Sequence, residues 1–239
     1  MALNFTWLGH STFLFESDDN RLIVDPFLTN NPLVETKPDD IDVDLIVLTH
    51  AHGDHVGYSD EGPAGDTISI AKRTGATIVC NFEMGNWFMA QGIPQEQVFQ
   101  ANPGGTMRGE WADVKFTQAF HSSSFQDGAY GGQPNGVIIR AGGFTVYHAG
   151  DTSLFGDMAL IGEEGLDAAI LPIGDVFTMG VDDSIKASKL LNARHVIPCH
   201  YNTFPPIVQD AGAWADRINR ETNSQPIVID PGSTHKLEK

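Results

Sequence analysis

Short apolar runs, each stopped by a small or acidic residue, recur along the chain. Residues 3–8 and 12–16 read as two strands around a turn at Gly9-His10-Ser11, and residues 21–25, Arg-Leu-Ile-Val-Asp, as a third. Three such segments in close succession predict an antiparallel meander. The run 44–49, Asp-Leu-Ile-Val-Leu-Thr, is continuous and rich in branched side chains, which is the mark of a strand covered on both faces. Similar buried strands are predicted at 76–80, 167–171 and 195–199, and a last strand at 226–230. Helical patterns fall at 67–74, 82–91, 154–164, 182–191 and 211–222, the second of them closed by Gly92 and Pro94. Residues 105–120 carry two strands, and 136–140 with 144–148 form a hairpin around Gly142-Gly143. Residues 26–43, with Pro26, Pro32 and Pro38, are a long polar connection of the kind that borders a site in a compact domain. A polar stretch rich in Gly and Asp runs from the end of the 50–55 segment to about residue 66.

The order of elements repeats. A strand ending in an acid (Asp25, Asp151) is followed by a buried strand, a helix and another buried strand in both halves. This predicts an α/β (α+β) fold over residues 1–239: two similar halves packed sheet on sheet, helices outside, in a four-layer αββα sandwich. The site is then expected at the edge the halves share.

Charge narrows the partners. The 239 residues carry a net charge of −17, and the pI is near 4.6. So acidic a surface repels phosphate backbones and anionic membranes, which argues against nucleic acid and membrane as partners. No apolar run approaches the length of a membrane span. The amino-terminal stretch lacks the basic start and apolar core of a signal peptide, and Cys80 and Cys199 do not make a disulfide framework, so a cytoplasmic location is expected.

The chemistry concentrates in His50-Ala-His52-Gly-Asp54-His55, three imidazoles and a carboxylate in a loop at the carboxyl end of a central strand. Neutral imidazole and carboxylate suit zinc and its first-row neighbours. Adjacent residues of a short loop point in different directions, so two neighbouring ions sharing these ligands fit better than one. His121, Asp151 and His200 each follow a predicted strand. His121 taken alone reads as a capping or surface residue. Asp25 reads equally as an anchor for the His50 loop or as a turn-forming Asp-Pro. His148 reads as a hydrogen-bonded core histidine, and His195 and His235 as structural or exposed. Cys80 is a core residue, and Cys199 points away from its neighbour His200. Ser122–Ser124, Thr178-Met179 and Tyr201–Phe204 are candidates for a pocket wall, with ordinary loop packing preferred for any one of them.

The order His-x-His-x-Asp-His, then a lone His, a lone Asp and a lone His resembles the motif set of the metallo-β-lactamase-fold hydrolases. Gly9-His-Ser-Thr, Thr49-His-x-His-Gly-Asp-His, His121-Ser-Ser-Ser, Tyr147-His-Ala-Gly-Asp-Thr, Pro172-Ile-Gly and Pro198-Cys-His-Tyr-Asn-Thr-Phe-Pro look like the branch related to ascorbate-phosphate lactonase. The resemblance implies that His50, His52 and His121 hold one divalent metal ion, that Asp54, His55 and His200 hold a second, and that Asp151 bridges them. Zinc leads among the metals, with manganese, nickel and iron compatible. Two ions sharing a water yield a bridging hydroxide as nucleophile, able to cleave an ester, lactone, amide or phosphodiester bond of a small-molecule substrate. Asp54 both ligates and orients that hydroxide. His10, the other catalytic candidate, contacts substrate or stabilises an oxyanion, a role weighed evenly against a structural one. A homo-oligomer is compatible with the sequence. The alternatives are a flavodiiron-type redox protein, which resembles His-x-Glu at 50–52 and carries a flavin domain not seen here, and a non-catalytic metal-binding regulatory protein. A nuclease is disfavoured by the acidic charge and by the 48 residues between Asp151 and His200, too few for an inserted domain.

Overall fold

The computed structural model describes residues 2–58 and 62–238. Residues 59–61 of the polar stretch that runs to about residue 66 lie outside the described residues. The meander is formed by β1 (Leu3–Trp7), β2 (Phe13–Ser17) and β3 (Asn20–Val24). Beyond the 26–43 connection come β4 (Leu45–Val47), the single turn α1 (Gly53–Val56), α2 (Gly65–Thr74), β5 (Thr77–Cys80), α3 (Phe82–Ala90) and β6 (Val98–Gln100). The second half runs β7 (Thr106–Arg108), β8 (Ala112–Gln118), β9 (Asn135–Ala141), β10 (Phe144–His148), α4 (Met158–Gly162), β11 (Ala168–Pro172), α5 (Val181–Leu191) and β12 (His195–Cys199). It ends with α6 (Ala211–Glu221), β13 (Gln225–Pro226) and β14 (Thr234–Leu237).

Among the described residues the strands form two seven-stranded sheets, ordered β14-β1-β2-β3-β4-β5-β6 and β13-β12-β11-β10-β9-β8-β7. Each is antiparallel on one side and parallel on the other: β3-β4-β5-β6 matches β10-β11-β12-β13. The repeat read in the sequence is this correspondence. The unbroken apolar runs have a simple cause. Leu22, Val24, Val47 and Val79 join the core between the sheets, whereas Ile23, Ile46, Leu48 and Ile78 pack with Ile70 and Ala71 of α2 and Met84 and Phe88 of α3. Helix α5 covers β11, and α6 lies beside β13. Both faces of the central strands are therefore dry, and each enclosed aliphatic side chain contributes about 1.5–3 kcal/mol.

Several elements differ from expectation. The last predicted strand pairs only at Gln225 and Pro226; after Ile227 donates to Val196 the chain leaves the sheet, turns at Pro231-Gly232 and returns as β14 beside β1. Helix α4 is shorter than 154–164, confined between Gly156 and Gly165. Strand β6 was not foreseen, because three residues carry no measurable period.

Parallel pairing puts carboxyl ends together. Asp25 N donates to Val47 O, so the ends of β3 and β4 are adjacent, and Asn135 N of β9 donates to Thr49 O across to the other sheet. The connection 26–43 is pinned at the same rim by Asp66, in the first turn of α2. Its Oδ2 accepts from Leu28 N (2.8 Å) and Thr29 N (2.9 Å), and its Oδ1 accepts from the Thr29 hydroxyl. Gly57, at φ 87°, is required beside it, since a Cβ there would stand 2.3 Å from that of Asp66. Asp66→Ala strands two amide donors, the buried one of Leu28 and the partly buried one of Thr29. It is expected to lower stability by about 2–4 kcal/mol in urea unfolding, with Asp66→Asn costing less because one acceptor remains.

Candidate metal centre

The rim is organised around Asp25, which is fully buried. Its Oδ1 accepts from Thr49 N (2.8 Å), and its Oδ2 accepts from the Thr49 hydroxyl (2.6 Å) and from His55 Nδ1 (2.8 Å). One carboxylate thus holds the end of β4 and the turn α1 in a fixed relation. Because Nδ1–H is committed to Asp25, the Nε2 of His55 is turned toward the centre. The segment expected to be a loop is partly helical: His55 N and Val56 N both donate to His52 O. This aims His52, Asp54 and His55 in different directions around one point.

All seven candidate ligands are gathered there. The donor atoms of His50, His52 and His121 lie within 4.8 Å of one another, as do those of Asp54, His55, His200 and His10, and those of His50, His55 and Asp151. His50 Nε2 approaches His52 Nδ1 to 3.0 Å. Asp151 Oδ2 stands 3.0 Å from His200 Nε2, 3.3 Å from His55 Nε2 and 3.5 Å from His121 Nε2. Asp151 Oδ1 and His55 Nε2 are buried without a hydrogen-bond partner among the described residues. Converging nitrogens and buried carboxylate oxygens left unpaired are costly unless something positive lies between them. The donor set fits a divalent cation of the zinc kind.

Electrostatics divide the cluster. Burial, chiefly, lowers the pKa of His50, His52 and His121, with neighbouring imidazoles adding to it. Burial alone would also lower that of His55, but the carboxylates of Asp151 and Asp25 raise it well above the ordinary value. Burial opposes ionisation of Asp151, yet His200 and His55 hold its carboxylate well below the usual range.

His10 is fully buried, and both ring nitrogens are engaged. Burial, chiefly, lowers its pKa to about 4, so it is neutral. Nε2–H then donates to Asp54 Oδ2 (3.1 Å) and Nδ1 accepts from the Thr203 hydroxyl (2.9 Å). The ring sits behind Asp54 with no free nitrogen for a substrate, so its placement is that of a positioning residue. His148 is buried, donating from Nε2 to Ser11 O (3.0 Å) and accepting from Gly150 N (3.1 Å). His195 lies in β12 paired with Ala168, and the His235 ring packs at a tilt against Phe5. Cys199 is buried in the inter-sheet core and Cys80 under the helices.

Sequence reasoning missed Asn81 and Phe177, and held Thr203 only as one of the Tyr201–Phe204 wall candidates, not as the partner of His10. Asn81 caps α3 and donates to Gly131 O and Gln133 O, tying the 122–134 loop to the first half. Of the wall candidates, Ser122 and Phe204 line the cleft above the cluster, whereas Ser123 is buried and accepts from Ala51 N. Phe177, not the buried Met179, faces that cleft. It follows the end of β11, the same address that marked the other residues.

A family model described as Beta-lactamase superfamily domain matches residues 4–200. The chain is 46% identical over 232 residues to a UPF0173 metal-dependent hydrolase of Thermus thermophilus, covering 97% of this chain and 98% of the relative. It is 41% identical over 239 residues to one of Methanosarcina mazei, covering 98% and 99%. Among solved structures, Igni18, a metallo hydrolase from the archaeon Ignicoccus hospitalis, matches with a TM-score of 0.88 and 36% identity over the whole of both chains.

Asp25→Asn should leave the circular dichroism spectrum native-like while lowering zinc affinity by about 10–100-fold in a chelator competition, because His55 loses its orienting partner. The two ligand groups should also differ in pH response. His50, His52 and His121, with lowered values, are unprotonated at neutral pH, so a cation entering there meets no proton competition until the solution is acidified past those values. The raised value of His55 means that a cation entering beside it displaces a proton. Calorimetric zinc titrations in buffers of different ionisation enthalpy are expected to show one event that is level through neutral pH and one that strengthens as pH rises and releases a proton.

Proposed function

The chain belongs to the metallo-β-lactamase superfamily of metal-dependent hydrolases, and we propose that it cleaves an ester, lactone, amide or phosphodiester bond of a small molecule at a pair of divalent cations. The observation that carries this reading is the position of Asp151, one carboxylate whose Oδ2 reaches imidazoles of both ligand groups at 3.0–3.5 Å. His50, His52 and His121 would hold one cation, Asp54, His55 and His200 the other, and Asp151 both. Zinc suits the set, and manganese, nickel and iron are compatible with it. When bound, such a pair lowers the pKa of water toward neutrality and polarises the scissile bond.

The protein's own groups do the rest. Asp54 is ionised: burial opposes this, but the hydrogen bond from His10 and the nearby imidazoles outweigh it. With Oδ2 held by His10, Asp54 is oriented at the cleft, where its carboxylate can accept a hydrogen bond from the attacking water and so orient it. Cys199 offers no competing nucleophile, since burial pushes its thiol up and it sits in the core.

Elemental analysis of the purified chain is expected to find two equivalents of a divalent metal. Asp151→Ala and His52→Ala should each remove activity by at least about 100-fold and lower metal content while the chain remains folded. Near-normal turnover in Asp151→Ala would refute the shared ligand. Dialysis against a chelator should abolish turnover, and added zinc should restore it.

A further inference from the structure

The cleft above the cluster has a volume of about 410 Å³, of small-molecule size. Its floor is His52, Asp54, His121, Asp151 and His200; its walls are Ser122, Phe177, Phe204 and Pro206. Among the described residues no Lys or Arg lines it. Among the described lining residues the charged side chains other than imidazoles are the two carboxylates.

Phe177 is displayed at a cost. It stands at the tip of a turn closed by a bridge between Gly174 and Gly180 and fastened by Asp175 N to Met179 O and Met179 N to Thr152 O. Within that turn Asp175 and Val176 are both left-handed, at φ 61° and 57°. A β-branched residue in that region is strained, and the strain returns no burial: Val176 is 65% exposed and Phe177 56%. A strained, firmly anchored turn that holds a phenyl ring in water at the mouth of a cleft serves contact with a ligand rather than packing. Phe204 faces it from the segment after His200, half-buried and backed by Phe27 at 6.3 Å between ring centroids, with Tyr58 behind that at 5.4 Å. This wall is apolar, and Phe204 is backed by packed aromatic rings.

We propose that the cleft selects uncharged acyl substrates, an ester, lactone or amide carrying an alkyl or aryl group, with Phe177 and Phe204 gripping that group. The proposal rests on the hydrolytic reading of the metal centre and narrows it. Even with the proposed pair of cations offsetting Asp54 and Asp151, a phosphodiester would find no guanidinium or ammonium among the described lining residues to bind its outer oxygens, on a chain of net charge −17. An apolar acyl chain loses water against two phenyl rings and a proline instead. In the ester case the acyl carbon–oxygen bond breaks. Water gives its hydroxyl to the acyl carbon and a proton to the leaving oxygen, yielding an acid and an alcohol.

The zinc-loaded full chain is assayed with 4-nitrophenyl acetate, butyrate and hexanoate, with γ-butyrolactone and γ-decalactone, with 4-nitrophenyl hydrogen succinate, and with bis(4-nitrophenyl) phosphate. Binding of the neutral fluorescent probe N-phenyl-1-naphthylamine is measured in parallel. We expect kcat/KM to rise about threefold or more from each acyl length to the next and to be lower for the two anionic substrates. Phe177→Ala should flatten the rise with acyl length and weaken probe binding about fivefold or more, Phe177→Leu should restore most of both, and Leu160→Ala, an exposed apolar residue of α4, should change neither. Preference for the phosphodiester or the succinate ester, or a chain-length dependence and probe affinity unchanged in Phe177→Ala, would overturn the proposal. If no substrate turns over while the probe binds and loses affinity in Phe177→Ala, the apolar cleft stands and the hydrolytic reading fails.

Discussion

A buried carboxylate with three donors on it is the constraint from which the rest of the rim follows. Asp25 takes the backbone and hydroxyl of Thr49 and the Nδ1–H of His55. Its removal from water would be prohibitive without those partners. With them, it sets where β4 ends, how α1 departs and which nitrogen His55 turns inward. His50 and His52 lie between the two anchored points, so their positions are inherited. A short segment crowded with polar side chains has many conformations available to it, and this anchor selects one.

The same rim is where the two halves are sewn together. Asn135 N reaches Thr49 O, His200 N reaches His10 O, and His148 reaches Ser11 O. Trp7 stacks on Tyr201 at 5.2 Å and donates its indole N–H to His10 O. Three non-glycine residues at strand ends, His10, Asp25 and His200, sit in the left-handed region at φ 53°, 47° and 52°. Such residues persist only where surrounding bonds over-determine them. For His10 and His200 those bonds include the cross-sheet one between them, and for Asp25 they are its bonds to Val47, Thr49 and His55, so the geometry of the metal centre and the docking of the halves are set at one rim.

Two opposed electrostatic environments share this small volume. The chain as a whole is strongly acidic, which favours the approach of cations. At the centre, burial keeps His50, His52 and His121 unprotonated and therefore able to ligate, while neighbouring imidazoles keep Asp151 ionised. Immediately above, Phe177, Phe204 and Pro206 give the cleft an apolar wall. A polar floor under an apolar wall separates the groups proposed to do the chemistry from those proposed to choose what reaches them.

Much of this was legible along the chain. The continuous aliphatic runs declared strands covered on both faces, and their recurrence declared two similar halves, because local side-chain pattern reports burial directly. The candidate ligands could be gathered because each one follows a strand, but their roles came from the resemblance of the whole motif order to a known family, since His121 by itself reads as a capping or surface residue. Asp25 could be placed at a strand end but not distinguished from a turn residue, and His10 could be placed near the pocket but not behind Asp54. Those distinctions depend on which atoms lie opposite one another across separations of 24 to 193 positions, as Thr49 and His55 do for Asp25 and Asp54 and Thr203 for His10. The return of β14 to pair with β1 and the display of Phe177 on its strained turn belong to the same class. Pattern along a chain encodes which side chains avoid water; the direction in which a polar atom points is settled only when distant segments close around it, since hydrogen bonds and backbone strain are properties of the assembled neighbourhood.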